Sequence, residues 1–253
     1  MSRQARQKSE SGIYHIIVRG INKQVIFEDD EDREKFIGYL QYYKDIASYL
    51  LYGYCLMDNH IHLLIKEGKE SIGNTMKRIG VSYVSWYNRK YDRAGHLFQD
   101  RFKSEVVETD EYLLTVLRYI HQNPVKAGKE KSVEIYKWSS YAEYIGKSKI
   151  IETGFILGIF AEEREKFIVH FQNYMNEYAD ANCIEINEKK RMSDDKIKKI
   201  IQKYAKVKMP TELQNMEKTK RDEIVRKIKE MNGISTRQIA RLTGMSQSVI
   251  AKA

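Results

Sequence analysis

The order of hydrophobic and polar positions divides the first half of the chain into short segments of alternating type. An apolar, β-branched run over residues 13–20 predicts a strand that a glycine ends. A stripe of apolar residues at helical spacing over 29–49 predicts a helix, which begins with acidic residues. Two further apolar runs, 50–57 and 60–67, flank a polar turn at 58–59 and predict an antiparallel hairpin.

The segments that follow complete the pattern of one domain. Residues 71–91 carry apolar side chains at helical spacing, and Ser71 is a suitable N-cap residue. A short strand is predicted over 102–107, and a further helix begins after Thr109 and is ended by Pro124. The order strand, helix, two strands, helix, strand is typical of a ferredoxin-like split βαβ fold. This is an α+β fold whose antiparallel sheet carries its helices on one face.

The whole chain is interpreted as three regions. Residues 1–145 hold the elements just described, and residues 146–215 are interpreted as a partly helical connector with a lysine-rich stretch. Residues 216–253 predict an all-α, helix-turn-helix-like DNA-binding region. In this region Ser235 and Gln238 match a capping box, and the final helix takes the position of a recognition helix.

Composition adds information about the partner and the compartment. The chain has 253 residues and a net charge of +9, which favours polyanionic partners because each neutralised phosphate releases counterions. The 2 cysteines provide neither a disulfide framework nor a spaced set of metal ligands. Residues 1–12 are not followed by an apolar run of signal-peptide type, and no segment approaches membrane-spanning length. A cytoplasmic protein without a membrane partner is therefore expected.

Two histidines stand together at the start of the predicted strand 60–67. Successive side chains of a strand point to opposite faces, so His60 and His62 face one way while Ile61 faces the other. Two neighbouring imidazoles can clamp one metal ion, and only 6 histidines occur in the chain. The alternative is a pair of polar residues on a solvated face of the sheet.

A second pair of candidate residues lies on the helix that follows Thr109. Tyr119 and Asn123 are four positions apart and are therefore neighbours on one helical face. The amide oxygen is a possible metal ligand, and the phenol is a possible nucleophile that needs help, since a free phenol is mostly protonated at neutral pH. With 18 tyrosines in the chain, spacing alone does not distinguish Tyr119 from a packing residue.

Several longer stretches carry a resemblance to a known family. Residues 55–65 read CLMDNHIHLLI, and residues 119–128 read YIHQNPVKAG. Together with residues 95–104 (GHLFQDRFKS) and 12–15 (GIYH), they resemble the IS200-like tyrosine transposases of the HUH-type (Y1) superfamily. Within that superfamily the chain is similar to the REP-associated tyrosine transposase branch, and the resemblance covers about residues 10–145.

The resemblance implies a set of roles for individual residues. His60 and His62 match the paired histidine ligands of a divalent ion, Mg²⁺ or Mn²⁺, and Tyr119 matches the single nucleophile. Asn123 falls where relatives place an amide-type ligand, and it is preferred to His121 because two positions along a helix point well away from Tyr119. The implied reaction is a transesterification on single-stranded, hairpin-forming DNA that leaves a 5′-phosphotyrosine and needs no nucleotide cofactor.

Basic and aromatic residues surround these elements. Phosphate contacts combined with base stacking suit single-stranded DNA, although Tyr83 and Trp86 are interpreted as core residues because of their helical spacing. Tyr14 and His15 in the first strand are interpreted as packing or hydrogen-bonding residues. The residues predicted to contact DNA are Lys77, Arg78, Arg89, Arg101 and Lys103.

Two other functions remain open at this point. One is a DNA-binding regulator whose first domain is a non-catalytic scaffold, although the presence of His60, His62 and Tyr119 argues against it. The other is a metal-dependent phosphodiesterase that uses water in place of tyrosine. The chain resembles longer relatives that act alone more than short dimeric transposases, so a monomer with catalysis in cis is expected in preference to a dimer.

Overall fold

The computed structural model describes residues 6–160, 163–177, 183, 192–231 and 233–253. The chain divides into two compact units, Met1–Glu185 and Ile186–Ala253. The strands of the first unit are β1 (Ile13–Arg19), β2 (Leu50–Met57), β3 (His60–Lys66) and β4 (Lys103–Val106). Its helices are α1 (Asp30–Ala47), α2 (Ile72–Lys90), α3 (Asp110–Lys126), α4 (Tyr141–Ile145), α5 (Gly154–Phe160) and α6 (Arg164–Asn176), with one 3-10 turn at Ile21–Lys23.

The four strands form one antiparallel sheet in the order β2-β3-β1-β4. The helices between the strands cover one face, where Val18 of β1 lines the same cavity as Phe36 of α1 and Ile79 of α2. The ferredoxin-like α+β fold predicted from the order of elements is therefore confirmed. A further helix, α3, lies on the opposite face, because Gly53 of β2 faces the side chain of Leu117.

Side-chain caps fix where the principal helices begin. Asp29 and Asp32 form a capping box at the start of α1, and the side chains of Ser71 and Thr109 accept backbone N–H bonds at the starts of α2 and α3. The end of α3 differs from the prediction, because Pro124 lies inside the helix, which continues to Lys126. Proline is tolerated there because it removes a single hydrogen bond, to the Ile120 carbonyl, and only two residues of the helix follow it.

The second unit is entirely helical. Its helices are α7 (Asp194–Ala205), α8 (Lys218–Lys229), α9 (Thr236–Thr243) and α10 (Gln247–Lys252), with a 3-10 turn at Pro210–Asn215. The predicted capping box between Ser235 and Gln238 is present at the start of α9. Gly244 ends α9 with a φ of +73°, a left-handed conformation that favours glycine. The helices share a separate apolar core that includes Ile197, Leu213, Val225, Ile228, Ile239 and Ile250.

The units differ from the predicted division into regions. The segment 146–215 was interpreted as a connector, but Ile156, Phe167 and Phe171 are fully buried in the core of the first unit. The α7 helix belongs instead to the core of the second unit. The sequence did not assign these positions to the first unit because their packing partners are distant in the chain. The lysine-rich stretch at 189–191 lies outside the described residues.

Among the described residues, no helix combines the length and the apolar character that crossing a membrane requires.

Gly53 supplies a test of how closely α3 is held against the sheet. A Cβ atom at this position would lie 2.6 Å from Cδ1 of Leu117, which is itself fully buried. Gly53→Ala is expected to lower the free energy of unfolding by about 1–3 kcal/mol through overpacking. Urea unfolding followed by tryptophan fluorescence measures it, because the chain's 2 tryptophans, Trp86 and Trp138, both lie in the first unit.

Gly38→Ala provides the matched control, since a Cβ atom there meets nothing within 4 Å on the exposed side of α1. It is expected to raise the free energy of unfolding by about 0.5–1 kcal/mol, because alanine loses less backbone entropy than glycine in a helix. Equal stabilities for the two variants would contradict a close contact between β2 and α3.

Candidate active site

His60 and His62 lie side by side on the face of the sheet that α3 covers. Their ring centroids are 5.0 Å apart, with the ring planes at 82°. Ile61 between them is fully buried on the opposite face, as the alternation of side chains along a strand requires. Two imidazoles therefore point into the same space beneath α3.

The α3 helix brings Tyr119 and Asn123 to these histidines. The Tyr119 ring lies 5.6 Å from the His62 ring in an edge-on arrangement. One turn later, the Asn123 side chain donates to the Tyr119 carbonyl at 2.9 Å, and it lies close enough to His60 to influence the pKa of that ring. All four residues singled out in the sequence for the chemistry thus meet at one place.

Both histidines are held in the neutral form. Burial, followed by the nearby Arg19 guanidinium, lowers the pKa of His60 to about 4. Burial lowers the pKa of His62 well below its usual value, and the neighbouring His15 and His60 rings act in the same direction. At neutral pH each ring therefore keeps a lone pair on one nitrogen, which is the form that binds a metal ion.

The donor set fits a divalent cation. The Nδ1 atom of His60 lies 2.7 Å from the Asn59 side-chain oxygen, which can only accept, so the proton of His60 is on Nδ1 and its Nε2 lone pair is available. Two imidazoles and the Asn123 amide would offer a divalent ion three neutral donors. The described residues contain no group of three or more His, Cys, Asp and Glu side chains arranged to hold a metal ion.

His15 belongs to this site although the sequence suggested only a packing or hydrogen-bonding role for it. It is fully buried, its Nε2 atom lies 3.1 Å from Nδ1 of His62, and the two rings stack at 5.3 Å. The pairing of β1 with β3 causes this contact, since it sets Ile17 opposite His62 and places the odd-numbered side chains of β1 on the histidine face. Tyr14 points the other way, and its hydroxyl accepts from the Ser9 backbone N–H at 2.9 Å.

The alternative ligand considered in the sequence, His121, faces away from the histidine pair. It is fully buried among Tyr141, Tyr144 and Phe171, and its Nε2 atom lies 2.8 Å from the Ser140 hydroxyl. Its contacts are those of a core histidine with a hydrogen-bonding partner. This placement agrees with the expectation that the His121 side chain points away from Tyr119, which lies two positions earlier on α3.

Helix α3 is also tied down on its outer side. The Gln122 amide donates to the carbonyls of Met175 and Glu177, each at 2.8 Å, at the end of α6. The Arg118 guanidinium lies 3.2 Å from the Glu177 carboxylate and 4.1 Å from the Tyr174 ring centre. The helix that carries Tyr119 is therefore held between the sheet and α6.

A basic and aromatic cavity lies on the α1/α2 face of the sheet, opposite to the histidine face, near the ends of β1 and β3 where Arg19 pairs with His60. It has a volume of about 1000 Å³ and an open mouth, and its wall includes the exposed side chain of Val81. The segment before β4 forms one wall, because Gln99 and Leu97 hydrogen-bond the backbone of Arg19 and Ile21, and Arg19 pairs with His60 in the sheet. Other lining residues are Arg6, Lys77, Phe98, Arg101 and Phe102.

The predicted DNA-contacting residues do not all lie at one place. Lys77 and Arg101 line the cavity, while Lys103 lies opposite Ile17 on the histidine face of β4. Arg78 pairs with Glu70 at 3.0 Å, and Arg89 is exposed in the last turn of α2. Lys77 and Arg101 are thus the two that the structure brings together around one space.

One basic residue near the site was not singled out in the sequence. The Lys126 ammonium group lies 5.0 Å from the centre of the Tyr119 ring. The signal was available, since the two residues are seven positions apart and therefore share one face of α3. A cation thus stands beside the tyrosine as well as around the cavity.

Comparisons with known proteins agree with this geometry. Residues 8–123 match the profile of the family described as "Transposase IS200 like", a stretch that includes all the residues from β1 to Asn123. No curated protein matches the chain at a significant level. A solved structure described as "Structure of the REP associates tyrosine transposase bound to a REP hairpin" aligns over 73% of this chain and 99% of its own, with a TM-score of 0.50 and 14% identity.

At that level of identity the likeness shows a shared fold, whereas the family match rests on the sequence itself. The match supports a transposase-like role in DNA processing. Residues 8–123, just under half of the chain, are therefore similar to the IS200-like transposase family.

Proposed function

We propose that this protein is a metal-dependent enzyme that cuts and rejoins single-stranded DNA through a covalent bond to Tyr119. The observation that carries the proposal is the meeting of Tyr119 with His60, His62 and Asn123 at one buried place in a single chain. If Tyr119 were only a packing residue and His60 and His62 were only solvated polar residues, nothing would require these side chains to lie together. The convergence fits a nucleophile placed beside a metal ion.

His60, His62 and Asn123 would hold the ion, and transposases of this family generally depend on a metal. We propose Mg²⁺ or Mn²⁺. Imidazole ligands are softer than those that Mg²⁺ usually prefers, so Mn²⁺ is expected to bind more tightly. When bound, the ion supplies Lewis-acid polarisation of the scissile phosphate.

Tyr119 performs the covalent step. Its hydroxyl oxygen attacks phosphorus, the bond from phosphorus to the 3′ oxygen breaks, and the phenol proton ends on the departing 3′-hydroxyl. The product is a 5′-phosphotyrosine, whose ester bond conserves the energy of the phosphodiester. Rejoining is the same exchange in reverse with a 3′-hydroxyl as the attacking group. The Lys126 ammonium beside Tyr119 attracts the phosphate during both steps.

We propose a hairpin-forming single strand as the substrate. The solved structure with a similar fold is described as bound to a REP hairpin. In this chain, Lys77 and Arg101 flank aromatic walls formed by Phe98 and Phe102. Cations for phosphates beside aromatic faces for unstacked bases are the common features of single-strand binding sites. Arg78, Arg89 and Lys103 are proposed as additional phosphate contacts.

We further propose that one chain is a complete catalyst, so that a monomer acts in cis. Tyr119 contacts the His62 ring of its own chain, and Gln122 ties the same helix to α6. In the second unit, α9, the turn at Gly244 and α10 follow one another in the order of a helix-turn-helix. We propose that this region adds DNA contacts outside the catalytic site.

The tyrosine chemistry is tested with end-labelled hairpin DNA and Mn²⁺ or Mg²⁺, followed by a denaturing gel. Wild-type protein is expected to give a covalent protein–DNA band. Tyr119→Phe removes the attacking oxygen and His62→Ala removes a ligand, so both are expected to lose the band, with at least about a thousand-fold less product. Tyr119→Phe keeps the buried ring and is expected to bind the hairpin as the wild type does.

Two results would replace the proposal with another function. Metal-dependent cutting that continues in Tyr119→Phe without a covalent band would indicate that water is the nucleophile. Tight hairpin binding by wild-type protein with neither cutting nor a covalent band would indicate a DNA-binding regulator.

Catalysis in cis is tested by mixing two inactive variants, Tyr119→Phe and His60→Ala. Because each chain is expected to use its own tyrosine and its own histidines, the mixture is expected to stay inactive. The covalent band on the gel is the readout, and wild-type protein diluted with Tyr119→Phe serves as the positive control. A band restored by the mixture would mean that two chains share one site.

The cavity is tested by neutralising Lys77 and Arg101 together with glutamine. Hairpin affinity is expected to fall, and the slope of log affinity against log salt to decrease by about 1.4, because each single-strand phosphate contact contributes about 0.7. Fluorescence anisotropy over a range of salt concentrations measures both.

Neutralising Lys147 and Lys149 together with glutamine is the charge-matched control, because it also removes two exposed positive charges. Both lysines lie in the segment that follows α4. This segment reaches the end of the sheet away from His60, because the Glu152 backbone N–H donates to the Leu51 carbonyl there. An equal loss of affinity in this control and in the cavity variant would show that net charge, rather than the cavity, determines binding.

A further inference from the structure

A buried line of three polar side chains runs from β4 through β1 to the histidine pair. The Nδ1 atom of His62 lies 3.1 Å from Nε2 of His15, and Nδ1 of His15 lies 3.5 Å from the Glu105 carboxylate. The sheet register explains the alignment, because His15 of β1 lies directly opposite Glu105 of β4. We name these three residues the histidine relay.

Burial makes the line costly unless its members satisfy one another. His15 is fully buried, His62 is 1% exposed, and about a quarter of the Glu105 side chain reaches solvent. A leucine at position 15 would fill a similar volume without burying polar atoms. Packing therefore gives no reason for a histidine at this position, whereas a hydrogen bond to His62 does.

The proton positions along the relay follow from the carboxylate at its end. At 3.5 Å the Glu105 carboxylate is a charged neighbour of His15 Nδ1 rather than a hydrogen-bonded partner, and that atom has no other partner among the described residues. A negative charge on this side still favours the form of His15 with its proton on Nδ1. The Nε2 atom of His15 then carries a lone pair and accepts from Nδ1–H of His62. This leaves the lone pair of His62 on Nε2, the same arrangement that Asn59 imposes on His60.

We propose that His15 and Glu105 are positioning residues that fix the tautomer and the ring orientation of His62 for metal binding. The inference rests on the proposed function for the role of the metal, but the proton positions can be tested without any metal. Ligand histidines commonly donate their second N–H to such a partner, and loss of that partner weakens metal affinity about 10- to 100-fold. The same change is expected here.

The first measurement is a long-range ¹H–¹⁵N spectrum of the histidine rings in metal-free, full-length protein. The chain has 6 histidines, and variants assign the signals of His15 and His62. Both rings are expected to carry the proton on Nδ1. Glu105→Leu is expected to shift His62 toward a mixture of tautomers, because the negative charge that orders the relay is gone. A His62 ring protonated on Nε2 in the wild type would overturn the inference.

The second measurement is the Mn²⁺ dissociation constant, from the electron paramagnetic resonance signal of free Mn²⁺. His15→Leu is expected to weaken binding about 10- to 100-fold. His15→Gln is expected to recover most of the affinity, because its amide oxygen can accept from His62. A merely structural role for His15 predicts the opposite order or no difference between the two variants.

Tyr14→Phe is the matched control for disturbance of β1. It removes one buried hydrogen bond, to Ser9, from the adjacent residue on the other face of the strand. Mn²⁺ affinity is expected to remain within about two-fold of the wild type, with thermal unfolding monitored for every variant. Equal Mn²⁺ affinity in wild type and His15→Leu would overturn the relay.

The relay and the tyrosine chemistry can fail separately. Protein with both rings protonated on Nδ1 and an intact Mn²⁺ site, but no covalent DNA band, would retain the relay and overturn the proposed reaction. If wild-type protein gives a covalent band but His15→Leu leaves the Mn²⁺ affinity unchanged, the proposed reaction would stand and the relay would be overturned.

Discussion

The antiparallel pairing of β1 with β3 is the constraint on which the rest of the first unit depends. It buries Ile16, Val18 and Leu63 against α1 and α2 on one face of the sheet. Because side chains alternate, the same register places His15 and His62 on the other face. A slip of one residue would exchange the two faces, so the apolar core beneath α1 and α2 also determines the chemistry on the opposite side.

The second constraint is the close fit of α3 over that face. Gly53 leaves room for Leu117, which lets the helix approach β2 closely enough for its tyrosine and asparagine to reach the histidines. Gln122 holds the outer side of the helix to the end of α6. The local sequence determines that α3 forms a helix. Contacts with residues distant in the chain determine the direction in which Tyr119 and Asn123 point.

Local patterns were sufficient for most elements and for the histidine pair. The strand boundaries follow from short-range rules to within one residue. The cap at Ser235 and the shared face of His60 and His62 follow from such rules as well, and the structure agrees with both. The contact of His15 with His62 could not be derived in this way, since it depends on the register between strands far apart in sequence. Membership of α5 and α6 in the first core depends on similarly distant packing.

The position of α3 between the sheet and α6 has a consequence for how DNA ends are exchanged under the proposed chemistry. A DNA end joined to Tyr119 is carried by a stationary part of the protein, because this helix is packed on both sides. Exchange of one end for another must then come from movement of the nucleic acid. The flexibility of the strand, rather than a protein hinge, would decide which ends can come back to the tyrosine and be sealed.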